Sequence, residues 1–228
     1  MTVEYYHLAP VILNDALFFE ANPSLCETGT ATMRTTAYLI AEQQMMQYLG
    51  TFLVPTTVTG TYLWPVPMRP VMLDHTHIKS IDRLVVTSFD DSCDCDVTEN
   101  DGCANIRDAM HGYIDPRVTS YAVRASCGCG PGDFYQIIAT YTAGLPTGTA
   151  ANDHGLHQAL GMLASMHLQE MLQPGSQESM QGITSWSADG YSESRAAPKS
   201  TPFGMSSKAQ YIAQLVKHLK GGLRLLSL

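Results

Sequence analysis

The stretch FYQIIATYTAGLP, residues 134–146, contains the change from strand to helix that decides the fold. Its first part, Phe134 to Tyr141, is rich in aromatic and β-branched side chains, which favour a strand. Glycine and proline interrupt regular structure, so Ala143-Gly144-Leu145-Pro146 ends that strand. The sequence therefore predicts a strand here, followed within a few residues by a different kind of element.

That second element is a helix over residues 153–172. Asp153 suits the N-cap position, and apolar residues then recur at helical spacing to form one wide apolar face. Pro174-Gly175 ends the helix. His167 lies within the apolar face, where a hydrogen-bonded core histidine is favoured over a metal ligand. The residues of the face are Leu156, Leu160, Leu163, Ala164, Leu168 and Met171.

Two further helices are predicted, over residues 31–49 and 206–220. In the first, apolar residues recur every four positions, Glu42 falls on the polar side, and Gly50 follows as a C-cap. The second carries core-spaced apolar residues and stops at Gly221-Gly222. The apolar positions are Met33, Ala37, Ala41, Met45 and Leu49 in the first helix, and Ile212, Leu215, Val216 and Leu219 in the second.

Helical periodicity is lost between these helices. Thr61–Trp64 and Asp82–Phe89 read as strands, and prolines separate the extended pieces. We therefore expect a β element between residues 58 and 142. The fold class is α+β: a small helical bundle with a β-hairpin or β-rich insertion, in a single domain spanning residues 1–228.

An irregular insertion rich in cysteine and aspartate is expected over residues 91–133. Two Cys-x-Cys pairs in it could hold a tetrahedral zinc ion, because alternate residues of a strand share a face. Disulfides and free thiols are the alternatives. The acidic residues of the same segment fit a solvated loop better than a calcium loop. The four candidate metal ligands are Cys93, Cys95, Cys127 and Cys129.

Charge is distributed unevenly along the chain. The formal net charge is −8, which argues against a general nucleic-acid binder. All 21 acidic residues precede Arg195, whereas six of the 13 basic residues lie from Arg195 onwards. An acidic body with a basic tail is typical of self-complementary docking, or of docking onto an acidic partner.

The segment over residues 174–205 is rich in serine, glycine and proline, yet it carries Trp186, Tyr191 and Phe203. That composition indicates an extended arm that docks on another surface, since aromatic residues contribute most to interfaces. The arm and the C-terminal helix together span about residues 174–228. The N-terminal segment before Glu20 lacks the basic flank of a secretory signal, so the protein is expected to work in a cytoplasm or in a particle assembled there.

The order of these pieces resembles the head-tail connector, or head completion, proteins of tailed bacteriophages. The resemblance covers about residues 31–228: a helix ending in Tyr48-Leu49-Gly50, short strands, the strand ending Tyr141-Thr142-Ala143-Gly144, a long helix, a serine/glycine-rich segment and a last helix ending Leu219-Lys220-Gly221-Gly222-Leu223-Arg224-Leu225. Residues 1–30 and the cysteine-rich insertion depart from the pattern of the family.

The resemblance implies a structural virion protein rather than an enzyme. It implies a homo-oligomeric ring, commonly of twelve subunits, that docks below the portal protein in the neck of the virion. The next neck or tail-completion protein would bind beneath it, and packaged DNA would pass through its lumen without sequence-specific contacts. The residues expected to dock on the portal or on a neighbouring copy are Trp186, Tyr191, Phe203, Lys217, Lys220, Arg224, Leu225 and Leu226.

Two rival hypotheses come from the residues themselves. A zinc-stabilised module could bind protein or nucleic acid through the insertion. A metal hydrolase could use His75 and His77 beside Asp74, although surface or structural histidines are favoured there because no matching downstream ligands follow. Nucleophile-elbow, P-loop and dinucleotide-binding motifs are absent from the sequence.

Overall fold

The computed structural model describes residues 9–25, 28–64, 70–88, 94–96, 104–116, 135–172, 185–188, 191–194 and 207–220. The chain forms two compact units. A β unit is built from Leu49–Thr149, and a helical unit is built from His7–Tyr48 together with Ala150–Lys220. The α+β fold class predicted from the sequence is confirmed.

The helical unit contains α1 (Asp15–Ala21), α2 (Ala31–Leu49), α4 (His154–Leu172) and α5 (Ser207–Leu215), with the short helix α3 (Thr149–Asn152) at its junction with the strands. The helix predicted over 31–49 is confirmed at both ends. The helix predicted over 153–172 begins one residue later, because residue 153 is its cap. Gly50 adopts a positive φ of 66°, as its predicted capping position requires.

The last helix is shorter than the predicted range of 206–220. It ends at Leu215, and Lys217–Leu219 form a 3₁₀ turn instead. Val216 leaves the helical conformation at φ −103° and ψ 7°, and its carbonyl then accepts from the Leu219 N–H at 3.0 Å. Such tightening by i→i+3 bonds is common where helices end.

Close packing between α1 and α4 explains why residue 161 is a glycine. Gly161 of α4 faces α1, where an added Cβ would lie 2.6 Å from the Cβ of Ala21. Its carbonyl also accepts a hydrogen bond from the Asn22 amide at 3.0 Å. The helical core is formed by Phe18, Ala37, Tyr38, Ala41, Met45, Leu156, Leu160, Leu163, Leu168, Ala209, Ile212 and Val216.

The β unit is organised around a four-stranded antiparallel sheet with the order β1-β7-β3-β4. The strands are β1 (Thr56–Trp64), β3 (Ile78–Ser88), β4 (Asp94–Asp96) and β7 (Tyr135–Ala143). β1 and β7 pair without a register shift from Thr56↔Ala143 to Trp64↔Tyr135. The strands predicted at 61–64, 82–89 and 134–141 are therefore real, and each begins or ends within a few residues of its expected limit.

A second sheet of three strands has the order β2-β6-β5. It consists of β2 (Val71–Met72), β5 (Ala104–Asp108) and β6 (Tyr113–Pro116). With β4, two of these strands fall inside the segment expected to be irregular over 91–133, so the described part of that segment is more regular than predicted. Short strands rich in aspartate lack the alternation of apolar and polar residues by which strands are predicted from a sequence.

The serine-rich segment contains a two-stranded hairpin, β8 (Ser185–Ala188) and β9 (Tyr191–Ser194). These strands pair with each other, from Ser185↔Ser194 to Ala188↔Tyr191. No helix in the described part of the chain is long and apolar enough to cross a membrane.

Candidate functional site

The C-terminal helix presents a cationic surface. Ala209, Ile212 and Val216 are buried and fix α5 in the helical unit, where it packs against α4. The opposite side of the segment is exposed and carries no acidic residue. We call this surface the basic face; it comprises Lys208, Tyr211, Gln214, Lys217 and Lys220.

A side-chain contact attaches the segment that carries the basic face to the long helix. The Asp153 carboxylate caps α4, accepting from the Leu156 N–H at 2.9 Å. Its second oxygen lies 2.6 Å from Nε2 of His218. Burial opposes ionisation of Asp153, but the N–H of Leu156 and the imidazole of His218 together hold the pKa of Asp153 below its usual value. The predicted N-cap is thus confirmed and has a second role.

A cation–π contact makes a second attachment. Nζ of Lys220 lies 4.2 Å from the centre of the Tyr48 ring, near the end of α2. The last described residue is therefore held against α2, while His218 is held against α4. Together these contacts hold the last described turn against both α2 and α4.

The predicted docking residues divide into three groups. Lys217 and Lys220 are exposed on the basic face, as a docking role requires. Trp186 and Tyr191 lie on β8 and β9 respectively. The other four lie outside the described residues: Phe203, Arg224, Leu225 and Leu226.

Sequence reasoning missed three members of the basic face: Lys208, Tyr211 and Gln214. Lys208 and Tyr211 precede the predicted lysines at helical spacing, and Tyr211 keeps 44% of its surface exposed. The signal was available, because Lys208, Tyr211 and Gln214 recur every three residues along α5, and Lys217 follows at the same spacing in the turn after it. An exposed tyrosine among cations is typical of interface surfaces.

The candidate zinc site falls almost wholly outside the described residues. Cys95 lies on β4, opposite Val86 of β3, and the other three cysteines lie outside the described ranges. Within those ranges, no group of three or more potential ligands is close enough to hold a metal ion. The zinc site therefore stays a prediction.

His75 and His77 are engaged in separate contacts. Nδ1 of His75 lies 2.9 Å from the Tyr141 hydroxyl, and the His75 ring stacks on Phe52 with centroids 4.4 Å apart. Nδ1 of His77 lies 3.0 Å from the hydroxyl of Thr76, its neighbour in the chain. This arrangement favours structural histidines over the metal-hydrolase hypothesis.

Tyr141 is the centre of a buried polar network. Its hydroxyl lies 3.0 Å from that of Tyr62, which in turn approaches Oδ2 of Asp74 at 3.4 Å. Burial raises the pKa of both tyrosines, so both hydroxyls stay protonated. Gly60 makes room for this network, because a Cβ there would overlap the Tyr62 phenol.

Glu42 is the largest departure from the sequence reading. It was expected on the polar side of α2, yet it is fully buried. Its carboxylate accepts hydrogen bonds from the backbone N–H groups of Val11, Ile12 and Leu13 at 2.7 to 2.8 Å. A buried charge is tolerated only with such partners, so Glu42 clamps the N-terminal segment onto α2.

A second contact holds the helix that follows this clamped segment. Arg34 of α2 makes a two-point ion pair with Asp15 of α1, at 3.0 and 3.2 Å. The Tyr38 hydroxyl donates to the same carboxylate at 2.8 Å. Hydrogen bonds from Arg34 and Tyr38 hold the pKa of Asp15 below its usual value. The sequence could not reveal this pairing, because its partners lie 19 and 23 residues apart.

The outward face of the four-stranded sheet is lined with hydroxyl groups. Thr57 and Thr142 lie opposite each other with hydroxyls 3.0 Å apart, and Thr59 and Thr140 repeat the contact at 2.9 Å. The next large residue along β1, Leu63, is 69% exposed. On the β3 side the same face is charged, since the Thr142 hydroxyl donates to Asp82 at 3.0 Å. The uncharged part of the face is therefore the part formed by β1.

Comparison with solved structures finds the same fold in particle assemblies. A chain from the neck of an empty gene transfer agent particle, computed with C6 symmetry, matches with a TM-score of 0.56 and 16% identity. A chain from the virion of a native gene transfer agent particle matches with a TM-score of 0.57 and 14% identity. Each match covers 100% of this chain and 98% of the other chain. At this level of identity the fold is shared.

No protein-family model matches this sequence. No curated protein matches it either. The shared fold is therefore the finding on which a functional proposal must rest, together with the surfaces described above.

Proposed function

We propose that this chain is a head-tail adaptor: a structural subunit of a ring that joins the portal of a virus-like head to its tail. The observation that carries the proposal is the fold match with the neck chain, which covers 100% of this chain and 98% of the other. A protein that shared only a helical hairpin or a sheet with a neck subunit would align over part of its length. The order of motifs in the sequence leads to the same kind of protein independently.

A ring needs two different surfaces on each subunit, because neighbours must meet head to tail around a closed circle. The basic face is one such surface. The first 194 residues carry all 21 acidic residues and only seven of the 13 basic ones. An acidic surface on a neighbouring copy or on the portal protein would complement the basic face.

We propose twelve copies in the ring, the number that the family resemblance implies. A ring of twelve contains a sixfold axis, so it is compatible with the C6 symmetry reported for the neck that contains the structural neighbour. The overall acidity of the chain suits a lumen through which DNA slides, since few cations would be available to hold phosphate groups.

The proposed role is structural, without catalysis. The buried tyrosines keep their protons, and the two histidines considered for metal chemistry each contact a hydroxyl group instead. These contacts stabilise loops of the β unit. The work of the protein would then be done by its surfaces and by the C-terminal segment that follows Lys220.

Genetic complementation tests the proposal. A particle-producing strain that lacks this gene should accumulate full-sized heads without tails, and the intact gene should restore infectious or transducing particles. A gene lacking codons 221–228 should yield a folded subunit that fails to join heads to tails. Normal tailed particles from the truncated gene, or in its complete absence, would overturn the proposal.

A charge reversal in the basic face tests whether this surface takes part in assembly. Lys217→Glu combined with Lys220→Glu should lower the yield of tailed particles, because both changes repel an acidic partner. Lys79→Glu is the matched control: Lys79 is also exposed, but it lies on β3 in the β unit. Equal yields from the double variant and the control would exclude the basic face from assembly.

A further inference from the structure

The edge of β1 is the most unusual strand edge in the described part of the chain. β1 ends the four-stranded sheet, with β7 on one side and no described strand on the other. Exposed strand edges are normally protected by charge, proline, a bulge or short length, because their backbone N–H and C=O groups invite another strand. β1 has nine residues, none of them charged and none proline, and it pairs with β7 without a bulge.

The other sheet edges of the β unit are protected in these ways. β4 has three residues, two of them aspartate, and Asp96 forms an ion pair with Arg83 at 2.9 Å. β5 carries Arg107 and Asp108 and has an irregular register with β6. β2 has two residues. The contrast indicates that β1 is left open for a partner, since the same chain protects its other edges.

Within the described part of the chain the hairpin β8–β9 lacks a third strand, which the open edge of β1 could supply. A two-stranded hairpin is marginally stable by itself and gains stability from a third strand. In the described residues, β8 and β9 pair only with each other. β8 has the sequence SWSA and carries no charge, whereas β9 contains Glu193. β8 is therefore the edge of the hairpin that suits an uncharged partner.

We propose that the open edge of β1 in one copy of this chain receives β8 from a neighbouring copy, so that a sheet continues across the subunit boundary. Four residues of β8 need about 13 Å of strand edge, and the nine residues of β1 offer about 30 Å. Serine and threonine across such a junction form favourable cross-strand pairs. In the hairpin register, Trp186 pairs with Glu193 and Ala188 pairs with Tyr191. Positions 186 and 191 therefore lie on the same face of the hairpin.

A second copy of the chain is the occupant favoured by the geometry. β1 and β8 are different segments, so their pairing is heterologous and can be repeated around a ring. Pairing of β1 with β1 of another copy would be two-fold and would end at a dimer. The inference deepens the proposed function, because it names the contact through which ring subunits would join.

Photo-crosslinking tests the junction. Leu63 is the most exposed large apolar side chain in the described residues, and it lies on β1. p-Benzoylphenylalanine in place of Leu63, in rings assembled from a mixture of ¹⁵N-labelled and unlabelled chains, should crosslink to the peptide containing residues 185–194 of a differently labelled chain. Crosslinks to the hairpin of the same chain, to β1 of another copy or to another protein would overturn the inference, as would rings that give no crosslink.

Charge placed on β1 gives an independent readout. Thr59→Lys combined with Thr61→Lys should raise the subunit concentration needed for half-assembly about tenfold, equivalent to about 1.4 kcal/mol. Thr35→Lys on the exposed side of α2 is the matched control and should leave that concentration unchanged. Equal assembly by all three proteins would contradict the inference. Rings that form normally with crosslinks elsewhere would refute the junction and leave the adaptor proposal standing, whereas absence of any ring would refute the adaptor proposal itself.

Discussion

Glu42 and Asp153 are both carboxylates that hold backbone N–H groups, yet they belong to different classes of interaction. Asp153 caps its own helix, three residues from the N–H that it accepts. Glu42 is fully buried and accepts from three consecutive N–H groups about 30 residues away along the chain. The first interaction is local and the second is tertiary. The difference shows that a sequence predicts the partners of a polar residue when they are close along the chain, and not when they come from a distant segment.

The largest effect is expected at Glu42. Replacement by alanine removes the buried acceptor shared by three consecutive N–H groups, of which that of Leu13 is buried and the other two are partly buried. Glu42→Ala should therefore lower the free energy of unfolding by about 4 kcal/mol. Urea denaturation measures the loss, and amide hydrogen exchange at Val11, Ile12 and Leu13 should accelerate. Glu170→Ala removes an exposed glutamate from α4 and is the matched control. A loss at position 42 no larger than the control would mean that the clamp does not stabilise the fold.

The next effect tests a tertiary polar contact in the β unit. Tyr141→Phe removes the hydroxyl that links Tyr62 and His75, so each of them loses one hydrogen bond. We expect a loss of about 2 kcal/mol in thermal or urea unfolding, because the contact with Tyr62 is buried and that with His75 is partly buried. Tyr211→Phe removes a hydroxyl from an exposed tyrosine and should change stability little. Similar values for the two variants would show that burial does not control the cost.

The local cap at Asp153 should matter less than the buried clamp. Asp153→Ala removes both the cap and the contact with His218, at an expected cost of about 1.5 kcal/mol. Asp153→Asn keeps a capping oxygen and should cost less, which separates the two contributions. Equal losses for alanine and asparagine would assign the whole effect to the contact with His218.

The same residue gives a pH dependence with a defined sign. The pKa of Asp153 is lowered in the folded protein, so its ionised form stabilises the fold above the unfolded value, about pH 4. That contribution is lost as the pH falls through the lowered pKa. The stability difference between the wild-type protein and Asp153→Asn should therefore shrink in acid titrations of unfolding. A difference that grew in acid would contradict the assignment.

The smallest effect is expected at the end of the basic face. Lys220→Met keeps the length of the side chain but removes the cation above Tyr48, and should cost less than about 1 kcal/mol. Lys220→Arg keeps a cation and should lie closer to the wild-type protein. Chemical denaturation of the three proteins measures the order. A methionine variant as stable as the arginine variant would show that this contact does not stabilise the fold.

Sequence alone located the long helices and the long strands, but it missed the short strands β4, β5 and β6. The four-residue repeat of apolar side chains located α2, and the cap at Asp153 located α4 within one residue, because both signals are local. The strand ending near Ala143 was equally clear. The end of α5 was misplaced, since Val216 continues the apolar spacing although its backbone has left the helix.

The polar contacts were less accessible from the sequence. The charge of Glu42 placed it with the polar residues, although helical spacing puts it on the same side of α2 as the buried Tyr38, Met45 and Leu49. Only the fold shows that the Val11–Leu13 segment supplies its hydrogen-bond donors. Two of the five residues of the basic face, Lys217 and Lys220, were identified, since a lysine is expected to be exposed wherever its helix packs. That β1 is an edge strand follows from the strand order of the sheet, and the strand order cannot be predicted from any single stretch of the sequence.

The adaptor assignment is the central claim, and an electron cryomicroscopy map of the neck in the purified particle tests it most directly. The account predicts a closed ring of this chain immediately below the portal, with twelve copies of the 24.9 kDa subunit amounting to about 300 kDa. The residues after Lys220 should run towards the portal. A neck whose density holds no copy of this chain, or a particle in which the chain lies elsewhere, would contradict the claim.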